Sequence, residues 1–373
     1  MDFTTGEAET EAARLAAQIL SAVGSTSTAE VADFDGRLWK EIADAGLLSL
    51  AVPEHLGGDG LGVQTTAAVL TEVGRHACRI PALATLALGV LPVARCTDAE
   101  LQRRLLAGVA AGDTILTAAI REPSDPRPDV PATTITAGTV SGVKVGVPYA
   151  AAASWILLPA STPAGTVVAV VEPDADGLSC QRTRSSSALP EYTVRLDRTP
   201  VLAYLEGCPA DLLGQLAVAG ACAVADGALA AALDLTNRHV RDREQFGRPL
   251  ATFQAVAQQI ADVYAAARTL HLATVSACWR LDTGRDAAED AGVAAYWLAA
   301  YAPAALRTCH HLHGGLGMDI SYPLPRYSSL VTDLVSLVGG ADASLDLLAR
   351  RELEHPEHPM EADVAREPRG RAD

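Results

Sequence analysis

Two short elements of the chain carry residues that suit the binding of a phosphate-containing cofactor. The first is REQFGRPL at residues 243–250, where Arg243 offers a planar guanidinium that can hold a pyrophosphate through two parallel hydrogen bonds. The second is HLHGGLG at residues 311–317, where Gly314 and Gly315 let backbone N–H groups approach a phosphate more closely than a side chain would allow. Together the two elements could bind a dinucleotide.

Both elements also have structural explanations that involve no ligand. Arg243 and Phe246 could simply end a helix, with Gly247 as its C-cap and Pro249 beyond it. The glycine run that begins at Gly314 could be an ordinary loop between two helices. The residues alone leave these alternatives open.

Three histidines next to the second element raise the question of a metal site. His310, His311 and His313 lie close enough in sequence for one helical turn to present two imidazoles together. Apart from the adjacent Cys309, no acidic or cysteine ligand lies at a matching spacing. We therefore predict no metal ion.

The composition narrows the partners of such a site. The 373 residues carry a net charge of −16, and a surface of that sign repels nucleic acid. The seven cysteines are scattered without a C-x-x-C pair, which favours free thiols in a reducing, cytoplasmic compartment. The acidic N-terminus lacks the apolar segment of a signal peptide. The apolar stretch 212–235 contains Gln215, Asp226 and Asp234, so we expect a buried helix and no membrane span.

The elements that must position these residues fall into three regions. Helical spacing of apolar residues extends from residue 8 to about 112 and returns from about 206 to 353. Between them lie short β-rich runs separated by proline and glycine, as in a small barrel or sandwich. The last segment, 354–373, carries prolines among charges and is predicted to be a disordered tail. The predicted strands are 114–120, 132–139, 143–147, 154–158, 166–171, 178–182 and 192–197.

Several motifs in this order resemble the acyl-CoA dehydrogenase family. LWKE at 38–41 and AVPEHLGGDGLG at 51–62 are similar to its first helical domain, and LARREL at 348–353 is similar to its last helix. REQFGRPL is similar to its R-x-x-F-G element, and HLHGGLG, followed by Tyr322-Pro323, to its Q-x-x-G-G-x-G element. The resemblance covers about residues 30–353. It implies an α+β fold with an N-terminal helical domain (1–112), a central small β-barrel domain (113–203) and a C-terminal four-helix bundle (204–353).

The resemblance also implies FAD as the cofactor and a site divided between subunits. In the family, the two elements of one subunit hold the adenosine-pyrophosphate half of FAD, whereas the flavin ring of that FAD lies in the neighbouring subunit. In this chain the first role would fall to Arg243, Gln245, Phe246, His311, Gly314 and Gly315.

The positions of the family's catalytic carboxylate carry no acid in this sequence. Family members remove the α-proton of an acyl-CoA with a carboxylate while hydride passes to the flavin, and a carbon acid needs such a positioned base. The commonest base precedes the last helix, where counting along the motifs puts Gly339 or Val338. A second family position corresponds to Ala217. Asp342 is the only nearby carboxylate, and its shorter reach and shifted position make it a poor substitute.

The motifs that surround the flavin ring are altered as well. The family's T-E-P-x-x-G-S-D corresponds to REPSDPRPD at 121–129, and its W-I-T-N-G, which packs the ring, corresponds to GVPYA at 146–150. Trp155 belongs to the next strand, where burial explains it. We therefore predict that the ring half-site is lost and the adenosine half-site is kept.

This combination resembles the heteromeric acyl-CoA dehydrogenases of actinobacteria, in which two paired chains share one FAD per pair. The resemblance implies an α2β2 heterotetramer in which a homologous partner subunit carries the base and binds the acyl-CoA, so that this chain is inactive alone. Members of that type act on CoA thioesters of steroid side chains. Two alternatives are a flavin monooxygenase of the same fold, which needs no α-proton base, and a non-enzymatic scaffold subunit.

Overall fold

The computed structural model describes residues 6–22 and 33–354 and arranges them as helices, then a sheet, then helices. In the first region a π-helical stretch at Leu83–Val90 runs directly into the fourth α-helix. The helices of this region are α1 Glu7–Ala22, α2 Gly36–Asp44, α3 Val63–Arg75, α4 Leu91–Val93 and α5 Ala99–Leu106.

Aspartates fix where several of these helices begin. Asp35 Oδ1 accepts a hydrogen bond from the Leu38 N–H at 3.0 Å and caps α2, and Asp98 caps α5 in the same way. Helix α3 starts after a glycine, and its first N–H, that of Val63, donates to Asp282 Oδ1 at 2.7 Å. Because Asp282 belongs to the third region, this bond ties the first region to the third.

The strands of the central region form one sheet. Its strands are β1 Leu116–Ala118, β2 Thr134–Thr136, β3 Thr139–Pro148, β4 Trp155–Thr162, β5 Gly165–Val171, β6 Leu178–Thr183, β7 Glu191–Pro200 and β8 Ala203–Tyr204. Their order is β6-β7-β3-β2-β4-β5-β8, and β1 pairs in parallel with β4. The predicted central β domain is thus confirmed, and each predicted strand overlaps an observed one.

One predicted strand, 132–139, is divided by a turn. Ala137 and Gly138 have positive φ angles of 49° and 78°, and they connect β2 to β3 as an antiparallel hairpin. An Ala-Gly pair is a weaker hairpin signal than Asn-Gly. The alternation of the sequence therefore continues across the turn without marking it.

Long helices form the third region, with a short hairpin between the first two. They are α6 Ala210–Asp242, β9 Glu244–Gln245, β10 Arg248–Pro249, α7 Gln254–Asp282, α8 Ala288–Ala300, α9 Ala302–His313, α10 Leu324–Val338 and α11 Gly340–Glu354. Helix α6 is long and apolar enough to cross a membrane, but 94% of its most apolar window is buried inside the protein. The expectation of a buried helix at 212–235 is confirmed.

The borders between the regions keep the status of predictions. The border at 112/113 falls between α5 and β1, and the border at 203/204 divides β8. Glu354, the first residue of the predicted tail, ends α11, and residues 355–373 lie outside the described part of the chain.

A buried ion pair lies inside the central region. Lys144 on β3 is fully buried, and its Nζ donates to Glu122 Oε1 at 2.8 Å. The backbone N–H groups of Ala132 and Thr133 donate to the same carboxylate at 2.7 and 3.0 Å. Burial opposes the ionisation of Glu122, but the hydrogen bonds from Lys144 and Thr133 outweigh it and hold the pKa of Glu122 below its ordinary value. The pair fixes the segment that follows β1 against the sheet.

We predict that Lys144→Met destabilises the protein far more than Lys40→Met. The first change leaves the Glu122 carboxylate buried without its cation, which costs about 3–5 kcal/mol. The second removes an exposed bond to the Ala111 carbonyl, which is worth about 1 kcal/mol. Chemical denaturation of the two variants measures the difference, and equal losses would show that the buried pair does not stabilise the sheet.

Candidate cofactor site

The element around Arg243 is a tight hairpin that follows α6 directly. Arg243 is the C-cap of α6, and its N–H donates to the His239 carbonyl at 2.8 Å. Strands β9 and β10 then pair antiparallel. Phe246 and Gly247 form the turn between them, with φ angles of 55° and 77°, as a two-residue hairpin requires. Gly247 thus belongs to the hairpin turn, which corrects the alternative that it caps the helix.

The side chains of this hairpin face away from the protein. Arg243 and Gln245 are exposed, and Phe246 is exposed by 92%. A non-glycine residue held at positive φ is strained by about 1–3 kcal/mol. The Phe246 ring meets the Phe253 ring edge-on at 6.2 Å, but it gains little burial to offset that cost. Ile320, in the loop after the glycine run, is 89% exposed as well. Phe246 and Ile320 are thus two large apolar side chains that this chain leaves almost fully exposed.

The glycine run begins where α9 ends. Gly314 caps α9 with φ 58° and ψ −136°, a conformation that only glycine adopts readily. Among the described residues, no atom lies within 4 Å of the place where a side chain at Gly314 or Gly315 would begin. At Gly317, by contrast, a Cβ would meet His313 Cβ at 3.0 Å. The packing of this chain therefore explains Gly317, whereas Gly315 faces open space that a ligand could use.

Two stacked imidazoles bring the two elements together. The rings of His239 on α6 and His313 on α9 lie 4.4 Å apart with an angle of 20° between them. Arg243 follows His239 by one helical turn and Gly314 follows His313 directly, so both elements lie at the same end of the bundle. Burial lowers the pKa of each imidazole, and the cationic Arg243 lowers the pKa of His239 further. The pair is therefore held neutral at physiological pH.

The histidines have structural roles and do not converge on a metal. His313 Nδ1 donates to the Cys309 carbonyl at 2.8 Å, and His310 Nε2 lies 2.5 Å from Ser328 Oγ. His311 is exposed, on the side where the hairpin side chains also face solvent. Within residues 6–22 and 33–354, no three His, Cys, Asp or Glu side chains group closely enough to hold a metal ion.

A cavity of about 80 Å³ lies where the three regions meet. Most of the side chains that line it are apolar, and a few are polar. The apolar wall includes Ile80, Leu83, Leu189, Leu330 and Leu334, and the polar wall includes Arg121, Tyr149, Glu191 and Asp333. Burial raises the pKa of Glu191 and lowers the pKa of Arg121. The Asp333 carboxylate accepts three hydrogen bonds, from the N–H groups of Ser186 and Ser187 and from the Ser187 hydroxyl.

Both altered ring motifs reach this cavity. Gly146, Pro148 and Tyr149 from 146–150 line it, and so does Arg121, the first residue of 121–129. Tyr149 is only 4% exposed and has a positive φ of 54°. The two motifs lie far apart in sequence, but the sheet brings them to one place.

The positions expected for a base are filled by packing. Gly339 caps α10 with a φ of 90°, and a Cβ there would lie 2.7 Å from two atoms of Pro126. Val338 and Ala217 are buried. Asp342 is exposed in the first turn of α11 and does not line the cavity.

The two carboxylates that do line the cavity, Glu191 and Asp333, were missed by reasoning from sequence. Glu191 is the first residue of β7, and Asp333 is one of several polar residues on the amphipathic helix α10. Neither belongs to a recognisable motif. An acid on an amphipathic helix is usually solvated, so the pattern offered only a weak signal for Asp333.

Comparison with known proteins agrees with these observations. Residues 7–113 match the acyl-CoA dehydrogenase N-terminal domain, and residues 216–351 match the acyl-CoA dehydrogenase C-terminal domain. Acyl-CoA dehydrogenase FadE28 of Mycobacterium tuberculosis is 48% identical over 315 residues, which are 84% of this chain and 91% of the relative. The chain belongs to the acyl-CoA dehydrogenase family. FAD is accordingly its cofactor.

Solved structures of this family extend the comparison. A variant of the Tcur3481–Tcur3483 steroid ACAD matches with a TM-score of 0.87 and 34% identity, over 95% of this chain and 100% of that chain. The ChsE4–ChsE5 complex from Mycobacterium tuberculosis matches with a TM-score of 0.85 and 31% identity, over 96% of this chain and 100% of that chain. The predicted acyl-CoA dehydrogenase-like fold is confirmed.

The residues present fit one part of FAD and not the other. At the end of the bundle, an exposed Arg243 and the open backbone at Gly314 and Gly315 suit a pyrophosphate. Around the cavity, the residue at the position of the family's ring-packing tryptophan is Gly146, and the Arg121 guanidinium occupies the place where its side chain would begin.

We predict that Gly315→Ala weakens binding of ADP, the adenosine-pyrophosphate probe, without lowering the stability of the chain. A methyl group at residue 315 meets open space in this chain but would push a phosphate away from the backbone. The loss of a charge-assisted hydrogen bond corresponds to roughly tenfold or more in affinity. Calorimetric titration with ADP and a thermal unfolding midpoint are the two measurements.

Gly317→Ala is the matched control, because its Cβ would press on His313. This variant should lower the thermal midpoint. If Gly315→Ala bound ADP as tightly as the unmodified chain, the glycine run would not be a phosphate site.

Proposed function

We propose that this chain is the subunit of a heteromeric acyl-CoA dehydrogenase that lacks the catalytic base. It supplies the adenosine-pyrophosphate half of the FAD site to a homologous partner, which carries the flavin ring, the base and the acyl-CoA. The observation that supports this proposal most strongly is the contrast between its two half-sites. Gly314 and Gly315 are open toward solvent, whereas Gly339 has no space for a side chain beside Pro126.

In this proposal Arg243 is the principal cofactor ligand. It would hold the pyrophosphate through paired N–H donors, with the N–H groups of the glycine run on its other side. Gln245 and His311 are exposed beside it and would contact the adenosine part, and Phe246 would pack against the partner. When bound, FAD supplies the acceptor for the substrate hydride. The contribution of this chain is therefore binding and orientation, and it needs no proton transfer of its own.

The substrate class and the assembly are inferred from relatives. One structural neighbour is described as a steroid ACAD and pairs two named chains, and another is a complex of ChsE4 with ChsE5. These similarities favour a steroid substrate and an assembly of two different chains. Within that frame we propose a CoA thioester of a steroid side chain and an α2β2 heterotetramer, as the family resemblance implies. We expect the complex to be cytoplasmic.

The two alternative functions have less support. A flavin monooxygenase would need its own ring pocket, but here the ring-packing tryptophan is replaced by Gly146 with Arg121 against it. A scaffold subunit would have no use for an exposed arginine beside an open glycine run. A third possibility, that Glu191 replaces the missing base within this chain, is suggested by its raised pKa and its place in the cavity wall.

We predict that the chain purified alone contains almost no flavin and that the co-expressed pair contains about one FAD per two chains. Only the adenosine half of a site is available in the isolated chain. The visible absorption of flavin against total protein gives the ratio. A full complement of flavin in the isolated chain would refute the division of the site between subunits.

We predict that Arg243→Ala lowers the affinity of the pair for FAD by roughly ten- to a hundredfold, because one charge-assisted contact is worth about 1.5–3 kcal/mol. Arg241→Ala, which removes an exposed arginine at the end of α6, should leave the affinity unchanged. Flavin retention during dialysis measures both.

Glu191→Gln in this chain should leave turnover of the pair within about twofold. If Glu191 were the base, its removal would lower kcat by about 10²–10⁴. That result would move the chemistry into this subunit.

A further inference from the structure

Three side chains of the central region stand at positions of the two motifs that surround the flavin ring in the family. Arg121, Pro126 and Tyr149 occupy the positions of the threonine and glycine in T-E-P-x-x-G-S-D and of the asparagine in W-I-T-N-G. Each is larger than the residue that the family has there. Resting on the proposed function, we infer that these three side chains exclude the isoalloxazine ring from this subunit by filling its place.

Tyr149 has a conformation that folding alone does not favour. Its φ of 54° is tolerated by asparagine but is an outlier for an aromatic residue. Its hydroxyl is buried without a hydrogen-bond partner among residues 6–22 and 33–354. Both features reduce stability. The ring is nevertheless held firmly, edge-on to Phe34 with 6.0 Å between centroids, while the backbone N–H donates to the Pro190 carbonyl at 3.0 Å.

Arg121 covers Gly146, the position of the family's ring-packing tryptophan. Its guanidinium lies closer to the place of a Cβ at residue 146 than any real contact allows. A side chain at residue 146 and the observed position of Arg121 are therefore incompatible. Burial lowers the pKa of Arg121, and its Nε is buried without a partner among the described residues. Like Tyr149, Arg121 fills space at a cost in polar contacts.

Pro126 closes the place of the base from the opposite side. Its Cβ and Cγ both lie 2.7 Å from where a Cβ at residue 339 would be. The segment 121–129 thus packs into the bundle at the point where the family's glutamate would project. One segment, 121–129, therefore fills the place of the base through Pro126 and covers Gly146 through Arg121. For this reason the loss of the base and the loss of the ring position are coupled.

The triple variant Arg121→Thr, Pro126→Gly, Tyr149→Asn tests the inference, since it restores the family residue at each position. Lumiflavin, the ring system without ribityl chain or adenosine, is titrated into the full chain, and quenching of its fluorescence is followed. The unmodified chain should show no saturable binding, and the triple variant should bind at least tenfold more tightly. Tyr149→Phe, which keeps the bulk of the ring, should behave as the unmodified chain.

Two results would overturn the inference. Either the unmodified chain shows saturable binding of lumiflavin as tight as that of the triple variant, or the triple variant, shown to be folded by circular dichroism, shows no saturable binding. In the second case the proposed function stands, because it is decided by the FAD content of the unmodified pair. Conversely, a full flavin complement in the isolated chain would refute the proposed function, whatever the variants bind.

A second measurement needs only variants of Pro126 and Gly339. Gly339→Ala should lower the thermal midpoint of the otherwise unmodified chain through both contact with Pro126 and its positive φ. In a Pro126→Gly background the contact is gone and only the backbone penalty remains, so the further drop caused by Gly339→Ala should be smaller. Equal drops in the two backgrounds would show that Pro126 does not fill the place of the base.

Discussion

Helices α3 and α6 approach each other so closely that their backbones touch. A Cβ at Gly74 on α3 would overlap the Val224 carbonyl of α6, and a Cβ at Gly227 on α6 would overlap the Thr71 carbonyl of α3. Two glycines, one from each helix, are therefore required for the contact. The residues beside them, Val73 and Val224, line the cavity. The close contact between these two helices consequently limits how wide the cavity can be. The same contact joins the first region to the third.

The same helix α6 connects the two half-sites. Its middle forms a wall of the cavity through Val224, and its end presents Arg243 to solvent. Because the middle of α6 is buried among the other helices, this helix cannot shift at one end without disturbing that packing. In the proposed division of the FAD site, one helix thus supports both the half that is open to a phosphate and the half that is filled. Since the two halves of one FAD would come from different subunits, this chain could lose the ring half and keep the other.

The sequence predicted those structural features whose signal lies within a short run of neighbouring residues. Neighbouring residues were enough to predict the alternating burial along β7 and the helical spacing of apolar residues. The same holds for the elements that contain Arg243 and Gly314. The contact between Pro126 and Gly339 was not, because it joins distant segments and neither residue has a pattern that reports its partner. An acid missing from Gly339 could be predicted by counting along a motif. Only the three-dimensional packing shows that a proline fills the same place.

Strained residues occur in both half-sites, but what maintains them differs. Phe246 is strained and 92% exposed, and although its ring meets that of Phe253 edge-on at 6.2 Å, it gains little burial to offset its backbone cost. Tyr149 is strained and buried, and contacts with Phe34 and Pro190 hold it in place. A strained backbone conformation that contacts within the chain do not offset points to a contact with another molecule. A strained conformation that internal contacts do offset is part of the fold. On this reasoning the hairpin at Phe246 would form part of the interface in the proposed assembly, whereas the segment around Tyr149 is part of the core of its own subunit.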